Sequence, residues 1–128
     1  MTLQLIVEKA DGALWGRVKV KGNLIVEQAS SLDALKKKIT QLVLDFENVA
    51  VEDFKLSYDL TAFFENHNYL NISDIAKKAG ISPTLMRQYA SGIKFPSEDR
   101  VMKIEQAIHG IGRELTRVRL HKSRREYA

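Results

Sequence analysis

Four polar side chains recur at helical spacing in the second half of this chain, and together they could form hydrogen bonds to a nucleic acid. Thr84, Arg87, Gln88 and Ser91 stand at positions i, i+3, i+4 and i+7, on one face of a helix. Side chains of these types bond to base edges in a DNA major groove or to phosphates. The pattern therefore predicts a DNA-reading helix, and an ordinary αα-hairpin with a polar outer face is the alternative.

Two short helices joined by a tight turn are predicted around that face. Asn71 or Ser73 can cap the first helix, and Gly80 can end it, because glycine readily adopts the left-handed conformation that follows a helix. Ser82 followed by Pro83 favours the start of a second helix, since Pro at the first helical position sacrifices no intrahelical hydrogen bond. Gly92 is expected to end that second helix.

Small and apolar residues predict how these two helices pack. Ala76 is small enough to let them approach closely, and Met86 and Tyr89 lie on the face of the second helix opposite the polar one. We therefore expect Met86 and Tyr89 to anchor the helix that carries the polar face.

Charge is distributed unevenly along the chain. Residues 1–59 hold 8 Lys and Arg against 9 Asp and Glu, a net charge of −1, whereas residues 60–128 hold 12 against 7, a net charge of +5. Basic surfaces attract polyanions. The second half, which contains the predicted helix-turn-helix, is therefore the expected polyanion binder.

The first half alternates apolar and polar residues and then changes to a helical period. Strands are predicted over residues 3–9, 14–21, 24–29 and 54–60, and a helix over 32–46 with Leu32, Leu35, Ile39, Leu42, Val43 and Phe46 on its apolar face. Asp11-Gly12 favours a tight hairpin turn between the first two strands. The prediction is a β-β-β-α-β domain with an antiparallel sheet and one covering helix.

The rest of the second half is mainly helical in pattern. A helix is predicted over residues 61–68, and another from Ser97 with a buried stripe of Val101, Ile104, Ala107, Ile108 and Ile111. Residues 116–121 alternate and could pair as a strand, and residues 122–128 read as a frayed basic tail.

Residues for catalysis or metal binding are not grouped in this sequence. There is no cysteine, and His67, His109 and His121 are far apart, with no second ligand at a spacing that fixes a metal. The seven glycines form no phosphate loop, and no apolar run is long enough to cross a bilayer. We therefore expect a cytoplasmic protein that is not an enzyme and binds no cofactor, metal or membrane.

Gly80-Ile81-Ser82-Pro83, together with Ile72, Ala76, Gly92, Pro96-Ser97 and Ile104, resembles the Cro/C1-type helix-turn-helix of bacterial and phage repressors. The order of parts also resembles the HicB antitoxins, whose first domain is a partial RNase H-like fold. The resemblance implies an α+β chain with a HicB-like domain at 1–59, a helix-turn-helix domain at 60–115 and a basic segment at 116–128. It also implies two partners, a HicA-type RNase toxin for the first domain and operator DNA for the second.

From the position of each residue in the motif, the predicted DNA contacts divide into two groups. Ser82, Thr84 and Gln88 would face bases, Arg87, Lys94 and Lys78 would contact phosphate or guanine, and Ser91 completes the polar face. A homodimer is expected, because one helix reads only a few base pairs. Two alternatives stay open: a protein-interaction or dimerisation module without specific DNA binding, and a metal-dependent nuclease on the first domain.

Overall fold

The computed structural model describes residues 1–124, which form four strands and five helices. The elements are β1 (Thr2–Ala10), β2 (Ala13–Val20), β3 (Asn23–Ala29), α1 (Leu32–Glu47), β4 (Asp53–Tyr58), α2 (Leu60–Asn66), α3 (Ile72–Ala79), α4 (Pro83–Ser91) and α5 (Glu98–Arg117). One hydrophobic cluster lies between the sheet and α1, and a second lies among α2 to α5. The predicted α+β class is confirmed. No helix in this part of the chain is both long and apolar enough to cross a membrane.

The sheet is mixed, with its strands in the order β3-β2-β1-β4. β1 pairs antiparallel with β2, and β2 pairs antiparallel with β3, which confirms the predicted pairing of the first three strands. β4 instead lies parallel to β1, with Leu5 opposite Leu56, so the prediction of a wholly antiparallel sheet is wrong. The reason is that β3 already runs in the direction of β1. Helix α1 carries the chain back over the sheet, and β4 therefore enters in that same direction.

Helix α1 covers one face of the sheet through three fully buried side chains, Leu35, Ile39 and Val43. Its close approach depends on Gly16 in β2, because a Cβ at that position would lie only 2.8 Å from Leu35 Cδ2. Phe46 was expected on the same apolar face, but its side chain is 76% exposed. The last turn of α1 has passed the apolar part of the sheet at this point.

The C-terminal end of α1 is hydrogen-bonded to the β2–β3 turn. Lys21 Nζ donates to the Glu47 carbonyl oxygen at 2.8 Å, and Asn23 Nδ2 donates to Glu47 Oε1 at 2.8 Å. Helix α1 then ends at Asn48, whose φ of 54° is left-handed. The last residue of α1 is therefore bonded to the exposed β2–β3 turn and not packed in the core.

Asp59 joins the sheet to the helices that follow. Its backbone N–H donates to the Val7 carbonyl at 3.0 Å, and its carboxylate caps α2 by accepting from the Ala62 N–H at 2.8 Å. Lys9 adds an ion pair to Glu65, with 3.0 Å between Nζ and Oε1. The predicted boundary between residues 1–59 and 60–115 thus falls on a hydrogen-bonded residue, and the division into two domains stays a prediction.

The second cluster packs the four later helices together. Its buried members are Phe64, Ile75, Ala76, Ile81, Met86, Tyr89 and Ile104. Ile104 is the one fully buried residue that α5 contributes, and Val101, expected in the same stripe, is 40% exposed. Val101 instead lines a cleft of about 300 Å³ between α5 and the Leu56 and Tyr58 side of β4.

The predicted strand at residues 116–121 is wrong. Helix α5 continues to Arg117, and residues 118–123 are neither helical nor paired with a strand. Alternation produces a strand only where a neighbouring edge can pair with it, and in residues 1–124 no strand lies beside this segment. Of the predicted basic tail at 122–128, residues 125–128 lie outside the described residues.

Candidate nucleic-acid interface

The turn between α3 and α4 has the caps that the sequence predicted. Asn71 Oδ1 accepts from the Asp74 N–H at 3.1 Å at the start of α3, and Gly80 ends that helix with a φ of 72°. Ser82 Oγ accepts from the Leu85 N–H at 3.1 Å and so caps α4. These local bonds fix the direction in which α4 leaves the turn.

Helix α4 is held by its buried face, as predicted. Met86 is completely buried and Tyr89 nearly so, and both pack in the second cluster, where Ala76 of α3 is also fully buried. Tyr89 is fixed further at both ends, because its hydroxyl accepts from Arg100 Nη1 at 2.9 Å and its carbonyl accepts from Thr61 Oγ1 at 3.1 Å. The helix is therefore a rigid support for whatever its outer face carries.

The outer face of α4 carries the predicted polar side chains. Thr84, Arg87 and Ser91 are exposed, and Gln88 is half-buried. Arg87 Nη1 donates to Ser73 Oγ on α3 at 3.3 Å, and Ser91 Oγ donates to the Gln88 carbonyl at 3.2 Å. The structure thus brings these four together on one accessible surface, with Arg87 extending it towards the start of α3.

Three other predicted contacts occupy different places. Ser82 is exposed, but its hydroxyl oxygen already accepts the capping hydrogen bond of α4. Lys94 is exposed in the loop after α4, and its backbone N–H donates to the Gln88 carbonyl at 3.3 Å. Lys78 Nζ lies 3.5 Å from Glu114 Oε1 on α5, so a phosphate there would compete with a carboxylate.

The sequence interpretation missed residues that the fold brings to this region. Arg100 and Lys103, on the first turns of α5, line a notch of about 270 Å³ together with Ser82 and Leu85 at the start of α4. A helix N-terminus flanked by cations favours negative charge. These two residues are far from the turn in sequence, and the packing of α5 against α3 brings them near it.

Two apolar side chains flank Lys94 in the loop after α4. Ile93 is 71% exposed and Phe95 is 83% exposed. A signal for them was present in the sequence, because two large apolar residues stand in a short segment between Gly92 and Pro96, where no helix or strand would bury them. The loop therefore offers an apolar edge beside the polar face of α4.

The three histidines lie at separate places along the second half of the chain. His67 stacks on Phe63 with ring centroids 4.7 Å apart, whereas His109 and His121 are exposed on and after α5. Within residues 1–124, no three His, Cys, Asp or Glu side chains converge in a way that could hold a metal ion.

Trp15 is half-buried on the sheet face away from α1, and its Nε1 donates to the Ala10 carbonyl at 3.2 Å.

Comparison with known proteins adds no relative to this geometry: no protein-family model, no curated protein and no solved structure matches the chain.

Proposed function

We propose that this protein is a sequence-specific DNA-binding repressor of the HicB type. The helical half would bind operator DNA as a homodimer in the cytoplasm, and the sheet half would hold a protein partner such as a HicA-type RNase toxin. The observation that carries the proposal is α4 itself: a rigid helix with Met86 and Tyr89 buried and with Thr84, Arg87 and Gln88 on its accessible side.

The chemistry of that accessible side supports base reading. Gln88 can bond the N6 and N7 edge of adenine with two hydrogen bonds, and Arg87 can bond guanine or phosphate. Lys94 in the following loop, together with Arg100 and Lys103 at the notch, supplies positive charge for the DNA backbone. The net charge of +5 over residues 60–128 favours the same partner.

The outer face of the sheet supports a protein partner for the first half. Leu24 is 58% exposed and Val26 is 49% exposed there, on the edge strand β3. Arg17 in β2, opposite Val26, forms an ion pair with Glu8 of β1 on this face. Exposed apolar side chains with polar neighbours are typical of protein-binding surfaces.

Base reading is tested with duplexes selected by the full-length protein from a random pool, together with the DNA beside its own gene. Dissociation constants are measured by fluorescence anisotropy on the selected duplex and on random duplex. We expect Gln88→Ala to lose about 1–3 kcal/mol of binding free energy on the selected duplex, because a two-bond contact with one base is lost. Binding to random duplex should be nearly unchanged.

The control is Gln28→Ala, which removes the same side chain from an exposed position on the sheet. It should bind both duplexes as the wild type does. Equal losses on selected and random DNA for Gln88→Ala would remove the base-reading role. The phosphate contacts are tested with Lys94→Ala, which should weaken binding to both duplexes equally and reduce the salt dependence of the affinity. Lys19→Ala, on the sheet, should change neither.

The alternative is a protein-interaction module whose helix-turn-helix serves only packing or dimerisation. The exposed apolar residues of β3 are compatible with it. If micromolar protein at low salt retards neither the DNA beside its own gene nor random duplex, the alternative is favoured and the repressor proposal fails. Cleavage of RNA or an RNA–DNA hybrid with Mg²⁺, stopped by EDTA, would instead point to a nuclease.

A further inference from the structure

The cleft between β4 and α5 lies at the border of the two hydrophobic clusters. Tyr58, on its sheet side, packs against the first cluster. Phe63 and Ile108, on its helical side, pack against the second. β4 is an edge strand, and α1 packs against β2 and β3. The cleft therefore forms where the sheet meets the helical half, because α1 covers a different part of the sheet.

The lining of the cleft is mainly apolar, and part of it is exposed. Leu56 on β4 is 37% exposed, and Val101 on α5 is 40% exposed. Pockets that bind small molecules have volumes of about 300–1,000 Å³, an apolar lining with a few polar groups, and often a place between domains. This cleft, of about 300 Å³, fits the lower end of that range. Its apolar lining residues are Leu56, Leu60, Phe63, Val101, Ile104 and Ile108.

Glu105 gives the cleft a negative charge. Among the described residues that line it, Glu105 is the one Asp, Glu, Lys or Arg. Its carboxylate is exposed and forms no ion pair within residues 1–124. Arg100 and Lys103, the nearby cations of α5, line the notch beside Ser82 instead. A ligand with a positive charge would therefore meet an uncompensated carboxylate here, and an anion would be repelled.

Tyr58 adds a hydroxyl group without a partner. The residue is half-buried, and its hydroxyl forms no hydrogen bond in the part of the chain that the structure describes. Burial raises the pKa of Tyr58, so the hydroxyl stays neutral and can accept a hydrogen bond from an ammonium group. The rings of Tyr58 and Phe63 lie edge to face with centroids 6.2 Å apart, and aromatic faces attract cations. Ser57 and His109 are the remaining polar residues of the lining.

We propose that this cleft binds a small organic cation, a molecule with a single-ring or short hydrocarbon body and one ammonium group. The body lies on the apolar lining, and the ammonium group faces Glu105 and the Tyr58 hydroxyl. The site goes beyond the proposed DNA binding and does not depend on it, because none of the four polar residues of α4 lines the cleft.

Three probes of similar shape and different charge test the proposal on the full chain: 2-phenylethylammonium, the neutral 2-phenylethanol and the anion 3-phenylpropionate. Each is titrated into isotope-labelled protein, and amide chemical shifts are followed by NMR. The ammonium probe should shift the signals of residues 56–63 and 101–109 to saturation, with a dissociation constant of about 1 mM for a ligand of this size. The alcohol should bind roughly threefold more weakly, since an exposed ion pair contributes little, and the anion more weakly still. The absence of saturable shifts in these ranges, or equal binding of the anion and the ammonium probe, would overturn the proposal.

Glu105→Gln removes the charge and keeps the shape of the side chain. It should weaken binding of the ammonium probe roughly threefold and leave binding of the alcohol unchanged. The matched control is Glu114→Gln, which removes the same charge from an exposed position farther along α5, outside the lining of the cleft. Equal effects of the two substitutions would show that the probe responds only to overall charge, and the proposed site would then fail.

Val101→Phe fills the cleft with a larger apolar side chain and should abolish saturable binding. Val26→Phe makes the same change at a 49% exposed position on the outer face of the sheet and should bind the probe as the wild type does. The ammonium probe should also raise the thermal unfolding midpoint of the wild type and of Val26→Phe, but not that of Val101→Phe, because a ligand stabilises only a protein that binds it. Circular dichroism checks that both variants are folded. Unchanged binding by Val101→Phe would contradict the site.

A lysine side chain of a partner protein also combines an apolar stem with an ammonium group. N-acetyl-lysine methylamide, which has no ring, serves as the probe for this occupant in the same titration. It should bind more weakly than 2-phenylethylammonium, because it places less apolar surface on the lining. Tighter binding of the lysine probe would assign the cleft to a partner protein and overturn the proposal of a small-molecule site.

Discussion

Truncation of Met86 should lower the stability of the helical half of the protein and leave the stability of the sheet half unchanged. Met86 is 0% exposed and lies in the second cluster. Met86→Ala removes three heavy atoms, and at roughly 0.8 kcal/mol for each buried methylene equivalent the transfer contribution alone is about 2.4 kcal/mol. The cavity left behind raises the cost, and buried Met→Ala substitutions cost about 2–5 kcal/mol. The total free energy of unfolding of a small domain is only about 5–15 kcal/mol, so this loss is a large part of it.

Native-state hydrogen exchange measures where this free energy is lost. In Met86→Ala, amides of α3, α4 and α5 should exchange faster, whereas amides of β1 and β2 should keep their protection, because the two halves have separate hydrophobic clusters. The matched control is Leu35→Ala on α1, which truncates a 0% exposed side chain of the first cluster. It should produce the reverse pattern.

Two results would refute this reasoning. If each variant lowers the protection of both halves by the same free energy, the chain unfolds as one unit and the hydrogen bonds of Asp59 couple the two clusters. If Met86→Ala costs less than about 1 kcal/mol, Met86 does not anchor α4, since that is well below the range for a buried methionine. Helix α4 would then lack the buried anchor that the proposed base reading requires.

Two further predictions concern a helix cap and a partly buried tyrosine. Ser82→Ala removes the side-chain bond to the Leu85 N–H and should cost about 1 kcal/mol in urea unfolding, and an unchanged midpoint would contradict the cap. Burial raises the pKa of Tyr58 above its ordinary value of 10.0. The folded state therefore holds more protons than the unfolded state near this pH, and the free energy of unfolding should fall as the pH rises past 10.0. Tyr58→Phe should lose less stability over that interval, and identical pH slopes for the two proteins would show that Tyr58 does not contribute.

Local patterns predicted most of the secondary structure. Caps and turns depend on a few adjacent residues, and Asn71, Gly80 and Ser82 adopt the predicted roles. Alternation also predicted β1, β2 and β3, since adjacent strands joined by tight turns pair antiparallel. The polar face of α4 followed from helical period alone, which is why Thr84 and Arg87 are exposed as expected.

Patterns failed where the outcome depended on distant partners. The direction of β4 was set by the path of α1 and not by its own residues. Residues 116–121 alternate, but no strand edge lies beside them to pair with. Phe46 is exposed because the last turn of α1 extends beyond the apolar part of the sheet. In each case the segment had the right local pattern, but its surroundings determined the structure.

By itself, the sequence determined a helix-turn-helix with a polar outer face, a basic second half and a sheet with a covering helix, because these depend on spacing, caps and charge within short stretches. Only the tertiary structure decided the mixed sheet, the Arg100 and Lys103 notch at the start of α4, and the cleft between α5 and β4. These features join residues that are far apart in the chain or depend on which side of a helix the rest of the protein covers. No local pattern contains that information.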